Sequence, residues 1–259
     1  MLKQQFFFSL ISLFLLLTFP VMAKDYSESK NPVIGLIGAS YIDPEAAYGN
    51  GAGLTALNGS SYRGLADYLK AFSILSVEGP VFREAAQGGA TSSGALGFDS
   101  AQLQAIKLYE HTTMWVDGSH LKAVIIDLFN DCLHTAYGPL CTREDIDNTL
   151  VKNVTQAINY LQQRGVKVFV NRLVDYDKLD LPLAEEIFKV ITPHFRVASR
   201  EQYNLLKHTY EDSISQIDGV IMLDTWRSFA HFGDGLHPNH ATKLKAAQYV
   251  MYQVYRHLN

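Results

Sequence analysis

Short continuous runs of apolar residues alternate along this chain with longer stretches in which apolar positions recur every three or four residues. "NPVIGLIGAS" is such a run, closed by Gly38 and Ser40, and has the pattern of a strand buried on both faces of a parallel sheet. "VFREAA", "KAVIIDLFND", "KVFVNR" and "GVIMLDTW" predict further strands. Between the third and fourth, "TREDIDNTLVKNVTQAINYLQQRG" sets Ile146, Leu150, Val151, Val154, Ile158 and Leu161 at helical spacing. Thr142 is its expected N-cap, acidic residues fill the first turn and Gly165 is its stop. "SYRGLADYLKAF", "SAQLQAIKLYEH", "LPLAEEIFKVI", "EQYNLLKHTYEDSI" and "PNHATKLKAAQYVMYQVYRHL" predict the remaining helices. Strands alternating with helices imply a three-layer α/β/α sandwich around a central, mostly parallel sheet of about five strands, with right-handed crossovers.

Ligands of open α/β sheets bind outside the carboxyl ends of the strands. The glycine-rich segment "YIDPEAAYGNGAGLTALNGSS", directly after the first strand, is therefore expected to border a site. No internal repeat or interdomain linker interrupts the pattern, so residues 24–259 read as one domain.

The first residues change the picture of where that domain works. Lys3, the apolar run Phe6 to Phe19 and the small-x-small signal Val21-Met22-Ala23 describe a secretory signal peptide over residues 1–23. The other reading is an uncleaved membrane anchor, since the apolar run approaches the length of a span. Pro20 and the cleavage signal favour removal, which predicts an exported protein, periplasmic or secreted, with no stable membrane span. In such a compartment the two cysteines, Cys132 and Cys141, are expected to form a disulfide, with two separate thiols as the alternative. A formal net charge of −4 gives no basic surface with which to neutralise phosphates, so nucleic acid is excluded as a partner.

Candidate chemistry gathers at the strand ends. Ser40 follows the first strand, Gly89 lies in "AAQGGATSSG" after the second, and Asn130 follows "VIIDLF". Asp234 and His237 lie in "FGDGLHPNH" after the last. One pocket at the carboxyl edge of the sheet can collect all five.

This order resembles the SGNH hydrolases, also called the GDSL esterase and lipase family. The serine block is matched by "GAS" (Gly38 to Ser40) and the glycine block by "GGATS" around Gly89. The G-x-N-D block is matched by "LFND", ending at Asn130 and Asp131, and the D-x-x-H-P block by "DGLHP", Asp234 to Pro238. The last is the most specific, and together they span almost the whole chain after residue 23. Two positions depart from the pattern: Ala39 stands where the family has aspartate, and Leu128 where it has glycine.

The resemblance implies a flavodoxin-like fold, an ester hydrolase with no metal or organic cofactor, and a small-molecule, acylated-glycan or lipid ester as substrate. Elementary chemistry assigns the parts. A serine hydroxyl is a weak nucleophile until a base takes its proton, and imidazole titrates near neutrality, which makes Ser40 the nucleophile and His237 its base. Asp234 would fix the tautomer of His237 from the other ring nitrogen. Pro238 is expected at the first helical position, holding the histidine at a helix start. The backbone N–H groups of Ser40 and Gly89, with the Asn130 side-chain amide, would form the oxyanion hole. A Cys132–Cys141 bond would tether the loop that follows Asn130.

Two other chemistries compete. His231, Asp234, His237 and His240 could ligate a metal, although "HFGDGLHPNH" has no standard structural-zinc spacing, and His231 and His240 read better as rim residues. A binding protein that kept the fold and lost turnover is the third reading. Within the hydrolase class, an esterase or transferase acting on O-acetyl groups of an envelope or extracellular polysaccharide is the alternative.

Overall fold

A computed structural model of the chain describes residues 31–42, 64–74, 79–94, 97–115, 121–136, 138–190 and 192–258. The expected signal peptide and most of the loop from Tyr41 to Ser61 lie outside the described residues.

Five strands form the centre: β1 (Val33–Ile37), β2 (Val81–Glu84), β3 (Leu121–Ile126), β4 (Lys167–Asn171) and β5 (Val220–Leu223). Their spatial order is β2-β1-β3-β4-β5, and every neighbouring pair is parallel. That is the flavodoxin-like order, with its switch point at β1 and β3. Successive residues of a strand face opposite sides. Ile34 and Leu36 accordingly enter one buried layer while Val33 and Ile37 enter the other. The first layer is covered by α1 (Leu65–Ile74), α4 (Leu181–Lys189) and α6 (His240–Leu258), the second by α2 (Ala101–Trp115), α3 (Lys152–Gln162) and α5 (Arg200–Ser215). Each fully buried Ile or Val contributes about 1.5–3 kcal/mol. An exposed ion pair such as Arg200–Asp177 is worth at most about 1 kcal/mol, so the two apolar layers hold the sheet.

One expected helix departs from its simple pattern. Thr142 caps it in a reciprocal capping box with Asp145, and Gly165 ends it in the left-handed region at φ 72°. Between the first turn Arg143–Asp145 and α3, however, Ile146–Val151 is π-helical. The buried residues Ile146, Leu150, Val154 and Ile158 recur every four positions, more than the 3.6 residues of an α-turn. A wider π turn offsets the resulting drift and keeps the row facing the core.

Candidate active site

The first three strands in spatial order deliver three of the five candidates side by side. Ser40 lies in the turn after β1, where the Ile42 N–H donates to the Ala39 carbonyl at 3.0 Å. Behind it, the Gly38 N–H donates to Oε1 of fully buried Gln104 on α2 at 2.9 Å, and Gln104 Nε2 donates back to the Gly38 carbonyl at 3.3 Å. Gly89 follows β2 at φ 88°, a conformation that favours glycine. Asn130 follows β3, and its N–H donates to the Ala90 carbonyl at 2.9 Å, joining the two loops.

Asp234 and His237 arrive from further away. They follow β5, three strands from β1, which at about 4.8 Å per strand is a return of about 14 Å across the sheet ends. Buried polar contacts hold this returning segment down. Thr225 donates to Asn171 Oδ1 at 2.5 Å, Asn171 Nδ2 donates to Asp127 Oδ2 at 2.8 Å, and Trp226 Nε1 donates to the same carboxylate oxygen at 3.1 Å. Burial pushes Asp127 up to about 6, opposed by its hydrogen bonds from Asn171, Leu128 and Trp226. Further along, the Asp180 N–H donates to the Gly235 carbonyl at 2.8 Å.

The tip is a closed turn. His231 and Pro238 face each other as an antiparallel bridge, flanked by Phe232 N–H to His237 carbonyl at 2.8 Å and Asn239 N–H to Ala230 carbonyl at 2.9 Å. His231 Nδ1 accepts from the N–H groups of Gly233 and Gly235 at 3.2 and 3.3 Å, so this histidine organises the turn. His240 is exposed and bonded to the Tyr68 hydroxyl. Gly235 is at φ 78°, and a Cβ there would lie 2.0 Å from the Asp180 carbonyl oxygen.

The helix start differs from expectation. Pro238 lies before α6, not in its first turn, and Asn239 is the cap, its Oδ1 accepting from the Thr242 N–H at 2.9 Å. The ladder explains the shift: its backbone donors are Phe232 and Asn239, so the N–H that Pro238 lacks is not needed there.

Across these turns the side chains meet. The Ser40 hydroxyl is 3.0 Å from His237 Nε2, and His237 Nδ1 is 2.7 Å from Asp234 Oδ2. The other oxygen of Asp234 accepts from the N–H groups of Leu236 at 2.9 Å and His237 at 2.8 Å. Burial alone would raise Asp234; the facing His237 and these hydrogen bonds outweigh it and hold the carboxyl below its usual range. With Nδ1–H donating to that carboxylate, Nε2 faces the hydroxyl as an acceptor. All three residues are buried. Among the described residues, neither the Gly89 N–H nor the Asn130 side-chain amide is bonded to another protein group. Among the described residues there is also no cluster of three or more His, Cys, Asp or Glu side chains arranged to hold a metal.

Cys132 and Cys141 are joined by a disulfide, and Cys132 is the described non-glycine residue at positive φ, 68°. Asp131, raised by burial, accepts from the Ser92 N–H at 2.6 Å and the Ser92 hydroxyl at 3.0 Å, which ties the loop after β3 to the loop after β2. Several contributors carry no signal in the sequence. Tyr41, next to Ser40, donates its hydroxyl to the Leu236 carbonyl at 2.7 Å and its ring packs edge-on against Trp226 at 5.2 Å. It links the serine turn to the histidine turn. Gln104 and the Asp127–Asn171–Thr225 chain were equally silent, because each pairs with residues far along the chain.

No family model matches the chain, and no curated protein matches it. Solved structures do. Est24, a carbohydrate acetylesterase from Sinorhizobium meliloti, aligns over 87% of this chain and 99% of its own with a TM-score of 0.55 at 16% identity. A carbohydrate acetylesterase family member from the same organism aligns over 88% and 99% with a TM-score of 0.55 at 14% identity. An aryl esterase from M. smegmatis aligns over 87% and 99% with a TM-score of 0.51 at 19% identity. Parallel sheet, flanking helices and strand order together are the three-layer α/β/α fold of the SGNH hydrolases, and this chain has it.

Proposed function

We propose that this protein is an exported carboxylic ester hydrolase of the SGNH type, working through an acyl-serine intermediate. The observation that carries the reading is the buried, continuous line from Ser40 Oγ through His237 to Asp234, at 3.0 and 2.7 Å, between residues 197 positions apart. Packing alone has no need of such a line. His237 Nε2 takes the hydroxyl proton as Ser40 Oγ attacks the ester carbonyl, and Asp234 stabilises the imidazolium. The developing oxyanion receives hydrogen bonds from Gly89 N–H, Ser40 N–H and the Asn130 amide. When the C–O bond breaks, the proton on Nε2 passes to the departing alcohol. Water, deprotonated by the same nitrogen, then releases the acid and restores the serine.

The fold neighbours include enzymes that act on acetylated carbohydrates and on aryl esters, which supports ester hydrolysis as the reaction and makes O-acetyl groups of a polysaccharide the second reading. The disulfide fits an oxidising compartment, and no helix among the described residues is long and apolar enough to cross a membrane. Ser40→Ala and His237→Ala are each expected to lower kcat on a short-chain aryl ester by roughly 10⁴-fold or more, and the double variant little further, since the residues act as a unit. Binding with no turnover in the unaltered protein would identify a non-catalytic descendant, and activity abolished by a chelator would identify a metal enzyme.

A further inference from the structure

Lys243 lies on the inner face of α6, and its N–H donates to the Asn239 carbonyl at 3.0 Å. The mechanism above gives it no part, yet the residue is 0% exposed. Its ammonium is 5.7 Å from the centre of the Tyr68 ring on α1 and 6.0 Å from that of Phe232. Phe232 belongs to the histidine turn, where its N–H holds the His237 carbonyl, so the charge borders that turn. Packing gives no reason for a charge there. A methionine would fill a similar space between two rings without the desolvation that an ammonium costs.

We propose that Lys243 is a positioning residue for the Asp234–His237 pair: its positive charge favours the carboxylate and the neutral imidazole, and so keeps His237 able to accept a proton at more acidic pH. The proposal rests on the ester hydrolase reading above. A cation beside an acid–base pair disfavours every added proton, because it attracts the carboxylate and repels the imidazolium. Burial pushes Lys243 down to about 8, against the attraction of the Asp67 and Asp234 carboxylates. It therefore holds its proton across the range in which an imidazole ordinarily titrates. The other titratable groups about the pair are of different kinds. His134, from the segment after β3, is pushed down to about 4 by burial and then by His237, and is neutral in that range. His231 is engaged in the turn, its Nδ1 accepting two N–H groups, and Asp180, whose N–H bonds the Gly235 carbonyl, caps α4 through its own carboxylate. On α1, Asp67 is exposed and screened by solvent, and Tyr68 is bonded to His240. Among these groups Lys243 combines burial with a positive charge.

The test is the pH profile of kcat/KM on a short-chain aryl ester, for the full chain and for Lys243→Met, Lys243→Gln and Lys243→Arg, each verified by thermal unfolding. In the two neutral variants the acidic inflection is expected to move up by about half a pH unit or more, and in Lys243→Arg to stay with the original. Below the inflection, half a unit reads as about a threefold lower kcat/KM, with a smaller change on the plateau. Neutral variants whose profile superimposes on the original, or falls equally at every pH, overturn the proposal. Loss of the fold in both neutral variants also overturns it, by making Lys243 a structural residue. NMR titration of the His237 ring separates this result from the hydrolase reading. Its midpoint is expected to rise in the neutral variants whether or not the protein turns over, and an unmoved midpoint overturns the proposal. Absence of turnover by the unaltered protein removes the hydrolase reading and leaves the ring titration to decide.

Discussion

Residues 231–239 and 132–141 both border the carboxyl edge of the sheet, and they are held there by different means. The first is closed by its own backbone: a bridge between His231 and Pro238, two flanking hydrogen bonds, and a histidine ring and a carboxylate that each accept two N–H groups of the same turn. The second is closed by a covalent bond between its ends and anchored through Asp131 to Ser92, 39 residues earlier. A turn that satisfies itself locally holds a few atoms in place, which the proposed proton transfer requires. A crosslinked loop fixes the positions of its ends and leaves the side chains between them free to differ.

Three substitutions sharpen that contrast, in order of expected effect. Gly235→Ala strikes the locally closed turn, where a Cβ meets the Asp180 carbonyl and φ is left-handed. Strain and overpacking together should cost about 3–5 kcal/mol. The melting temperature should then drop on the order of 10 °C, with activity, and a variant melting with the original protein would show that the turn is not fixed by this contact. Replacing Cys132 and Cys141 together by serine releases a loop of sequence separation 9, worth about 2–3 kcal/mol by the chain-entropy relation. Thermal unfolding should register this as a fall of about 5–10 °C, and steady-state kinetics as a lower kcat because Asn130 is less firmly placed. Unchanged kinetics would confine the crosslink to stability. Tyr41→Phe deletes the hydrogen bond to the Leu236 carbonyl and keeps the ring contacts with Trp226 and Phe229. About 1 kcal/mol is expected, read as a several-fold lower kcat with KM held, and a change in KM alone would assign Tyr41 to substrate binding.

The same contrast explains what was legible in the sequence. Apolar runs disclosed β1, β3 and β4 because these central parallel strands, buried on both faces, leave no polar alternation, whereas the edge strands β2 and β5 are only partly buried, and the D-x-x-H spacing disclosed the histidine turn because its partners are neighbours in the chain. Pro238 misled because proline serves equally well at a helix start and at a ladder position whose own N–H is not needed. Tyr41–Leu236, Gln104–Gly38 and the Asp127 chain left no trace, since each depends on side chains brought together only by the fold. Tyr41 and Leu236 are 195 residues apart, and Gln104 and Gly38 are 66 apart.

The separation of 197 residues between Ser40 and His237 also bears on when the protein can begin to act. Contacts this distant close late, because the intervening chain must be ordered before they form. During synthesis β1 to β4 emerge before the segment that bears the proposed base, and a serine hydroxyl without a base is an ordinary alcohol. On the proposed mechanism a nascent chain with most of its sheet complete therefore has no activated nucleophile, and recovery of activity after denaturation should trail recovery of helical and sheet signals until the turn before α6 docks.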